Sequence, residues 1–341
     1  MSEGTALSEL GEFGLIRHLT EDLKLNHKST IMGVGDDAAV IDRGDHFELV
    51  STDLLVEGVH FDMSYTPLRH LGYKAVAVNL SDICAMNGTP THITVSLAIS
   101  SRFPVEAINE IYDGIKLACE KHNVDIIGGD TTSSLTGLMI SITAIGKVDK
   151  DSVVYRNGAK ENDLICVSGD LGSAYIGLQI LEREKEVWKA NPDIQPDLEG
   201  HDYLLERILK PEPRTDIIKA LRDIGVKPTS MIDVSDGLGS EILHLCAQSQ
   251  CGAKIYENKI PLDPSAITQA AEFNLEPSVC ALSGGEDYEL LFTISQNDFE
   301  KVAAIEDISV IGHIADQASG AAIVYLHGEE IQIKAQGWKS F

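Results

Sequence analysis

The sequence predicts an α/β fold with mixed sheets. Three observations predict it: short β-rich runs alternate with helical patterns, apolar residues reach 43%, and the 341 residues exceed what one core usually holds. At roughly 100 to 200 residues per domain, that length favours two domains. With 23% charged residues, the composition excludes a wholly disordered or collagen-like chain.

The runs that read as strands are Phe47 to Ser51, Ile93 to Ile99, Leu138 to Ile145, Leu164 to Ser168, Ala253 to Tyr256, Leu290 to Thr293 and Ala321 to Leu326. Between the first two lies a helix from about Arg69 to Met86, apolar on most sides and therefore expected to be buried. The clearest helix opens at Pro104, which suits a first-turn position. It carries Val105, Ile108, Ile111, Ile115 and Ala118 at helical spacing and stops at Asn123. From Lys147 to Asp163 the chain is charged and turn-rich, with a reversal at Asn157-Gly158, so the expected domains are 1–150 and 151–341. The stretch Glu182 to Glu206 is polar and broken by Asn191-Pro192 and Gln195-Pro196, which reads as a mobile excursion or a surface helix-loop-helix. Two Gly-Gly-acid tripeptides, Gly128-Gly129-Asp130 and Gly284-Gly285-Glu286, hint at related halves.

Lys and Arg number 27 against 53 Asp and Glu, a net charge of −26. That field repels nucleic acid and anionic lipid, so neither a nucleic-acid nor a membrane partner is expected. No apolar run approaches the ~20 residues needed to cross a bilayer, and MSEGTALSEL lacks a basic stretch followed by an apolar one. A cytoplasmic location is expected. Cys84, Cys119, Cys166, Cys246, Cys251 and Cys280 form no C-x-x-C pair and read as buried reduced thiols.

Carboxylates at turns carry the chemistry. Gly35-Asp36-Asp37 follows a short apolar run, and Ser51-Thr52-Asp53 closes a strand. Asp82 lies in the helix AVAVNLSDICAM, Gly128-Gly129-Asp130 follows Val124 to Ile127, and Asp233-Val234-Ser235-Asp236-Gly237 follows Thr229 to Ile232. Ligands of α/β folds collect beyond strand ends, so these acids are expected to face one cleft. Carboxylates gathered there repel one another unless hard divalent cations neutralise them, and Mg2+ usually joins protein carboxylates to substrate phosphates. The glycines beside the acids let the backbone approach phosphate oxygens. There is no G-x-x-x-x-G-K-[ST] and no protein-kinase signature, which excludes those two phosphate-binding solutions. Each motif alone is also ordinary turn chemistry. Asp82 is the hardest to read that way, since an unpaired charge on an apolar helix is expensive. Arg156 is either a bidentate phosphate clamp or a surface turn residue. His60 is a ligand contact or a packed imidazole, Tyr112 is core or an adenine platform, and Trp338 reads as an anchor for the C-terminal tail.

Read together, GEFGLI (Gly11 to Ile16), GDDAAV (Gly35 to Val40), STDLLVEGVHF (Ser51 to Phe61), KAVAVNLSDICAM (Lys74 to Met86), GGDTT (Gly128 to Thr132), MIDVSDGL (Met231 to Leu238), LSGGEDYELLF (Leu282 to Phe292) and the terminal GWKSF resemble the thiamine-monophosphate kinase family. That family belongs to the aminoimidazole ribonucleotide synthetase-like superfamily. The resemblance runs in order over nearly the whole chain. It implies a two-domain α/β fold whose N-terminal domains pair into a dimeric β-barrel, hence a homodimer. It also implies ATP-dependent phosphorylation of thiamine monophosphate to thiamine diphosphate by direct in-line transfer of the γ-phosphoryl, assisted by several Mg2+ ions. Carried over by motif, the resemblance makes Asp37, Ser51, Thr52, Asp53, Asp82, Asp130, Asp233 and Asp236 metal ligands. Tyr112, Gly129, Asp130, Arg156 and Ser235 would meet ATP, and His60, Glu286 and Trp338 would meet thiamine monophosphate. No side chain is expected to act as acid or base, because the acceptor phosphate is already ionised. Departures are confined to MNGTP after Ala85 and the excursion at 182–200. The alternatives are another ATP-using synthetase of the superfamily and a non-catalytic nucleotide- or metal-binding module.

Overall fold

The structure is a computed structural model that describes residues 7–334. In chain order, α1 (Leu7–Thr20) leads to β1 (Thr30–Met32), β2 (Ala39–Asp42), β3 (Phe47–Val56), α2 (Leu68–Ala85), β4 (Thr89–Ser100), α3 (Val105–His122), β5 (Asp125–Ser134) and β6 (Met139–Val148). There follow β7 (Leu164–Ser168), α4 (Ser173–Ala190), α5 (Asp202–Leu209), α6 (Thr215–Asp223), β8 (Ser230–Asp233), α7 (Leu238–Ser249) and β9 (Gly252–Tyr256). The last elements are α8 (Pro264–Glu272), α9 (Pro277–Ser283), β10 (Leu290–Ile294), α10 (Phe299–Val302), β11 (Ile308–Ala315), β12 (Ala321–Val324) and β13 (Glu330–Gln332).

The strands form two sheets, ordered β1-β2-β3-β6-β4-β5 and β13-β12-β9-β11-β7-β10-β8. In each sheet one neighbouring pair is parallel, β4 with β5 and β9 with β12, and the other pairs are antiparallel. The fold is thus mixed α/β, and among the described residues neither sheet closes into a barrel. Strand β6 alternates, with Ile140, Ile142 and Ala144 buried against the helices and the residues between them half-exposed on the far face. Strand β10 is buried throughout, and it reads as a continuous apolar run because both of its faces are covered.

The expectation that Ser51-Thr52-Asp53 closes a strand is corrected. β3 continues to Val56 because β6 pairs with it along all ten residues, and the tripeptide lies inside the strand. Gly128-Gly129-Asp130 likewise lies within β5, whereas Gly284 caps α9, so the two Gly-Gly-acid tripeptides occupy unlike places. A Cβ on Gly129 would lie 1.8 Å from the Val95 carbonyl oxygen, so close strand pairing alone demands glycine there. Pro104 stands one position before its helix rather than in the first turn. The stretch 182–206 is a helix-loop-helix, in which Asn191 terminates α4 and α5 resumes at Asp202. All six cysteines are free, and all but Cys251 are buried. Among the described residues, no helix is long and apolar enough to cross a membrane.

Helix α2 explains its own composition. Leu71, Val76, Leu80 and Ile83 enter a core with Ile111, Ile115, Ile140 and Ile142, under the first sheet. At its end, Cys84 and Ala85 join Val154, Cys166, Met231 and Leu290 in a core of the second sheet. A helix covered by both halves must be apolar nearly all round. Its contact with α3 is made backbone to backbone: a Cβ on Gly114 would lie 1.9 Å from the Arg69 oxygen, and one on Gly72 1.9 Å from the Ile111 oxygen. Gly114→Ala is therefore expected to force the two helices apart and to lower stability by about 2 to 3 kcal/mol, as overpacking does, read as a fall in the urea midpoint with unchanged slope.

Candidate active site

Three distant segments deliver the central carboxylates. Asp37 precedes β2, Asp82 lies on α2 and Asp233 ends β8. One oxygen from each lies within 4.8 Å of the others. Ser51 Oγ, on β3, donates to Asp82 Oδ2, and Ser81 Oγ donates to Asp233 Oδ2 at 2.6 Å. Arg156 Nη2 donates to Asp37 Oδ1 at 2.7 Å, while the Arg156 backbone N–H is shared by the two oxygens of Asp36 at 3.3 Å. Asp53 shares the Ser51 face of β3, two residues on, and its backbone N–H donates to Asn79 Oδ1 of α2 at 2.9 Å.

Burial and mutual repulsion raise these acids together. Burial first, then Asp37, holds Asp233 up at about 7, and burial with Glu286 holds Asp53 up at about 6. Burial and then Asp37 lift Asp36 to about 7. Asp82 is pushed well above its ordinary range by burial, then by Asp53, Asp233 and Asp37. Asp37 Oδ2 is buried with no hydrogen-bond partner. A converging all-oxygen donor set with an orphaned carboxylate oxygen fits a hard divalent cation such as Mg2+.

Asp53, Asp82 and Asp233 open into a cavity of about 680 Å³ that also receives His60, Ser235, Asp236 and Glu286. His60 follows β3, and its Nδ1 accepts the Val56 backbone N–H at 3.0 Å. Asp236 is held by its backbone N–H, which donates to the buried Glu241 Oε1 at 2.9 Å. Glu286 is fixed by its backbone N–H to Ser235 O at 2.7 Å. The segment around it is bent: Gly285, Glu286 and Tyr288 all have positive φ, a conformation that costs energy for the two non-glycine residues and recurs at functional sites.

Other expected residues stand apart. Strand alternation turns Thr52 to the opposite face from Ser51 and Asp53, where its hydroxyl donates to Ile142 O at 3.1 Å. Gly129 pairs with Val95, Val95 with Ile142 and Ile142 with Asp53, so Gly129 lies three strands away, about 14 Å at ~4.8 Å per strand. Asp130 follows it, exposed on edge strand β5 and outside the carboxylate trio. Tyr112 is half-buried against the first core. Trp338 lies outside the described residues. Sequence reasoning did not single out Lys74 or Tyr288, both of which line the cavity. For Lys74 the signal was available: Lys74, Val78 and Asp82 recur every four residues and share one face of α2.

A family model described as AIR synthase related protein, N-terminal domain, matches residues 35–148. That match spans β2 to β6 and gives this segment its class. The thiamine-monophosphate kinase of Bacillus subtilis (strain 168) is 33% identical over 338 residues, covering 97% of this chain and 100% of the relative. That of Aquifex aeolicus (strain VF5) is 33% identical over 335 residues, covering 98% and 99%. The solved structure of AaThiL complexed with AMPPCP and TMP matches with a TM-score of 0.85 and 32% identity, covering 100% of both chains. The chain belongs to the thiamine-monophosphate kinase family.

The raised acids fix the pH response. With folded-state values near 6 and 7 against an ordinary 3.8, the folded chain binds more protons than the unfolded chain between about pH 4 and 7. These groups therefore weaken the metal-free fold as pH rises through that window. The metal-free chain should melt at least about 3 °C lower at pH 7.5 than at pH 5.5, and Mg2+ should restore the difference at pH 7.5. Asp82→Asn should raise the metal-free melting temperature at pH 7.5 and abolish the Mg2+ effect, as read by calorimetry.

Proposed function

We propose that this chain is an ATP-dependent kinase that phosphorylates thiamine monophosphate to thiamine diphosphate, passing the γ-phosphoryl in line to the substrate phosphate. The observation that carries the reading is the cavity in which Asp53, Asp82 and Asp233 face His60 and Glu286. Full-length similarity to thiamine-monophosphate kinases and to a complex with AMPPCP and TMP supports it.

Asp37, Asp53, Asp82 and Asp233 would hold Mg2+, with Ser51 orienting Asp82 and Asp236 as a further ligand, while Asp130, on edge strand β5 apart from the trio, would hold a separate ion. When bound, Mg2+ supplies charge neutralisation between these carboxylates and the phosphates of both substrates. The residues themselves do positional work. Ser51 and Ser81 fix carboxylate oxygens by hydrogen bonds, and Arg156 offsets the charge of Asp37 until a nucleotide phosphate competes for its guanidinium. Tyr112, Gly129 and Ser235 complete the reading of the ATP site, and His60, Glu286 and Trp338 that of the thiamine site. Glu286 is suited to the cationic thiazolium-pyrimidine system. No base is assigned, since the acceptor phosphate carries its own charge and needs no deprotonation.

We read residues 1–150 and 151–341 as separate domains, since each sheet is built from one of the two segments. A homodimer is the accompanying reading. The β3-β6-β4 face away from the helices is half-exposed, Leu54 on it is 50% exposed, and the edge strand β5 leaves Ile127 56% exposed. A second copy of this chain would cover that face and edge.

Incubation with ATP and thiamine monophosphate should yield thiamine diphosphate and ADP with Mg2+ present, and product should cease on chelation. Product with a different acceptor in place of thiamine monophosphate would favour another synthetase of the superfamily, and no ADP release with any acceptor would favour a binding module. Ile127→Glu is expected to convert a dimer to a monomer by sedimentation, with the circular dichroism spectrum retained.

A further inference from the structure

Lys74 is an oddity that the proposed reaction does not use. It sits on the otherwise apolar helix α2, is 4% exposed, and lines the cavity at the end away from the carboxylate trio. Eight residues separate it from Asp82 along one helix face, about 12 Å at ~1.5 Å per residue. Its Nζ donates to the Ile208 carbonyl oxygen at 3.1 Å and lies 2.5 Å from Glu286 Oε2. The latter contact is an ion pair by distance, with an alignment outside that of a hydrogen bond. A buried ammonium is tolerated only with such partners.

Glu286 is divided by this contact. Its Oε2 is buried beside Lys74, yet the side chain keeps 28% of its surface exposed, so the exposed part lies elsewhere on the side chain, toward the cavity. Its backbone is held at φ 64 by the hydrogen bond to Ser235 O, which fixes where the side chain starts but leaves its χ angles free to turn the carboxylate. The other acids of the cavity, Asp53 foremost, repel it. Without an opposing charge, the carboxylate would swing toward solvent or exchange its ligand-facing oxygen.

We propose that Lys74 is a positioning residue for the acceptor substrate: it anchors Glu286 Oε2 and so presents the rest of that carboxylate to the cationic ring system of thiamine monophosphate. The proposal rests on the reading of Glu286 as a contact to that substrate. Lys74 acts through Glu286 and touches neither the reacting phosphates nor the metal-binding acids. The specificity thereby gained is for a cationic acceptor, because an anchored, partly offset carboxylate still attracts a positive ring but rejects a second anion.

The test uses the full chain, with KM for each substrate measured at saturating co-substrate and Mg2+. Lys74→Met should raise KM for thiamine monophosphate at least about tenfold, leave KM for ATP within about twofold and leave kcat within about threefold. Glu286→Gln should behave alike, and the double variant should be no worse than Glu286→Gln alone. Equal increases in both KM values, no increase in either, or additive losses in the double variant would overturn the assignment and leave Lys74 a packing residue between α2 and α5. If Glu286→Gln leaves KM for thiamine monophosphate unchanged, the reading of Glu286 fails and takes the Lys74 proposal with it. A Glu286→Gln effect with a silent Lys74→Met refutes the Lys74 proposal alone. Should Lys74→Met fail to fold, Lys74→Gln keeps hydrogen bonding to Ile208 O, and the same split in KM decides the matter.

Discussion

The constraint on which the structure depends is electrostatic: Asp37, Asp82 and Asp233 bring carboxylate oxygens within 4.8 Å of one another in a buried place. Like charges so close and so poorly solvated raise the free energy of the metal-free fold, and the chain tolerates this because packing elsewhere fixes the three backbones. Asp82 is held by α2, whose two ends belong to the cores of both sheets. Asp233 is held by a strand paired with the fully buried β10. Hydroxyls of Ser51 and Ser81 and the guanidinium of Arg156 reduce the repulsion without removing it. The unfavourable energy that remains is what the proposed divalent cation would relieve.

The second support is the segment Gly284 to Glu289, in which three acidic side chains do different work. Glu286 faces the cavity. Asp287 is buried and accepts the Gly172 backbone N–H at 2.7 Å at the start of α4. Glu289 is buried and receives Arg207 at 2.9 Å, Arg214 at 2.5 Å and Ser168 Oγ at 2.5 Å. The positive φ values of Glu286 and Tyr288 turn consecutive side chains in directions that a regular strand would not allow. Backbone hydrogen bonds from Glu286 to Ser235 and from Tyr288 to Val234 tie this bend to the loop that follows Asp233. The Glu286 end of the cavity and its Asp233 end are thus parts of one hydrogen-bonded unit.

Much of the acidic cluster was legible because its members sit in local contexts that betray them. A charged residue on the all-round apolar α2 requires a partner, and Asp82 has several. Thr52 was legible in principle too: side-chain alternation along a strand separates it from Ser51 and Asp53 once the strand is known to run past it. What hid this was the end of β3, which pairing with β6 extends beyond the apolar run. Gly129 invited a phosphate-binding reading, yet contact with the Val95 carbonyl is a sufficient reason for glycine there. Strands β5 and β11 and the short strands β1, β2, β8 and β13 escaped detection: the Gly-Gly-Asp of β5 reads as a turn, and three or four residues carry too little periodicity.

By itself the sequence determined the alternation of strands and helices, the burial of α2, the unpaired state of the cysteines and the roster of acids. Each of these follows from composition, from periodicity or from motif order along the chain. Only the tertiary structure decided which acids meet. Asp37 and Asp233 are far apart in sequence, and nothing local to either encodes their approach. It results from two sheets closing on a shared helix, a long-range event whose geometry is set by backbone contacts such as Gly72 and Gly114 and by strand pairing. The same event carried Lys74 to Glu286 and left Asp130 on an outer edge, distinctions that identical residue types in similar turns could not express.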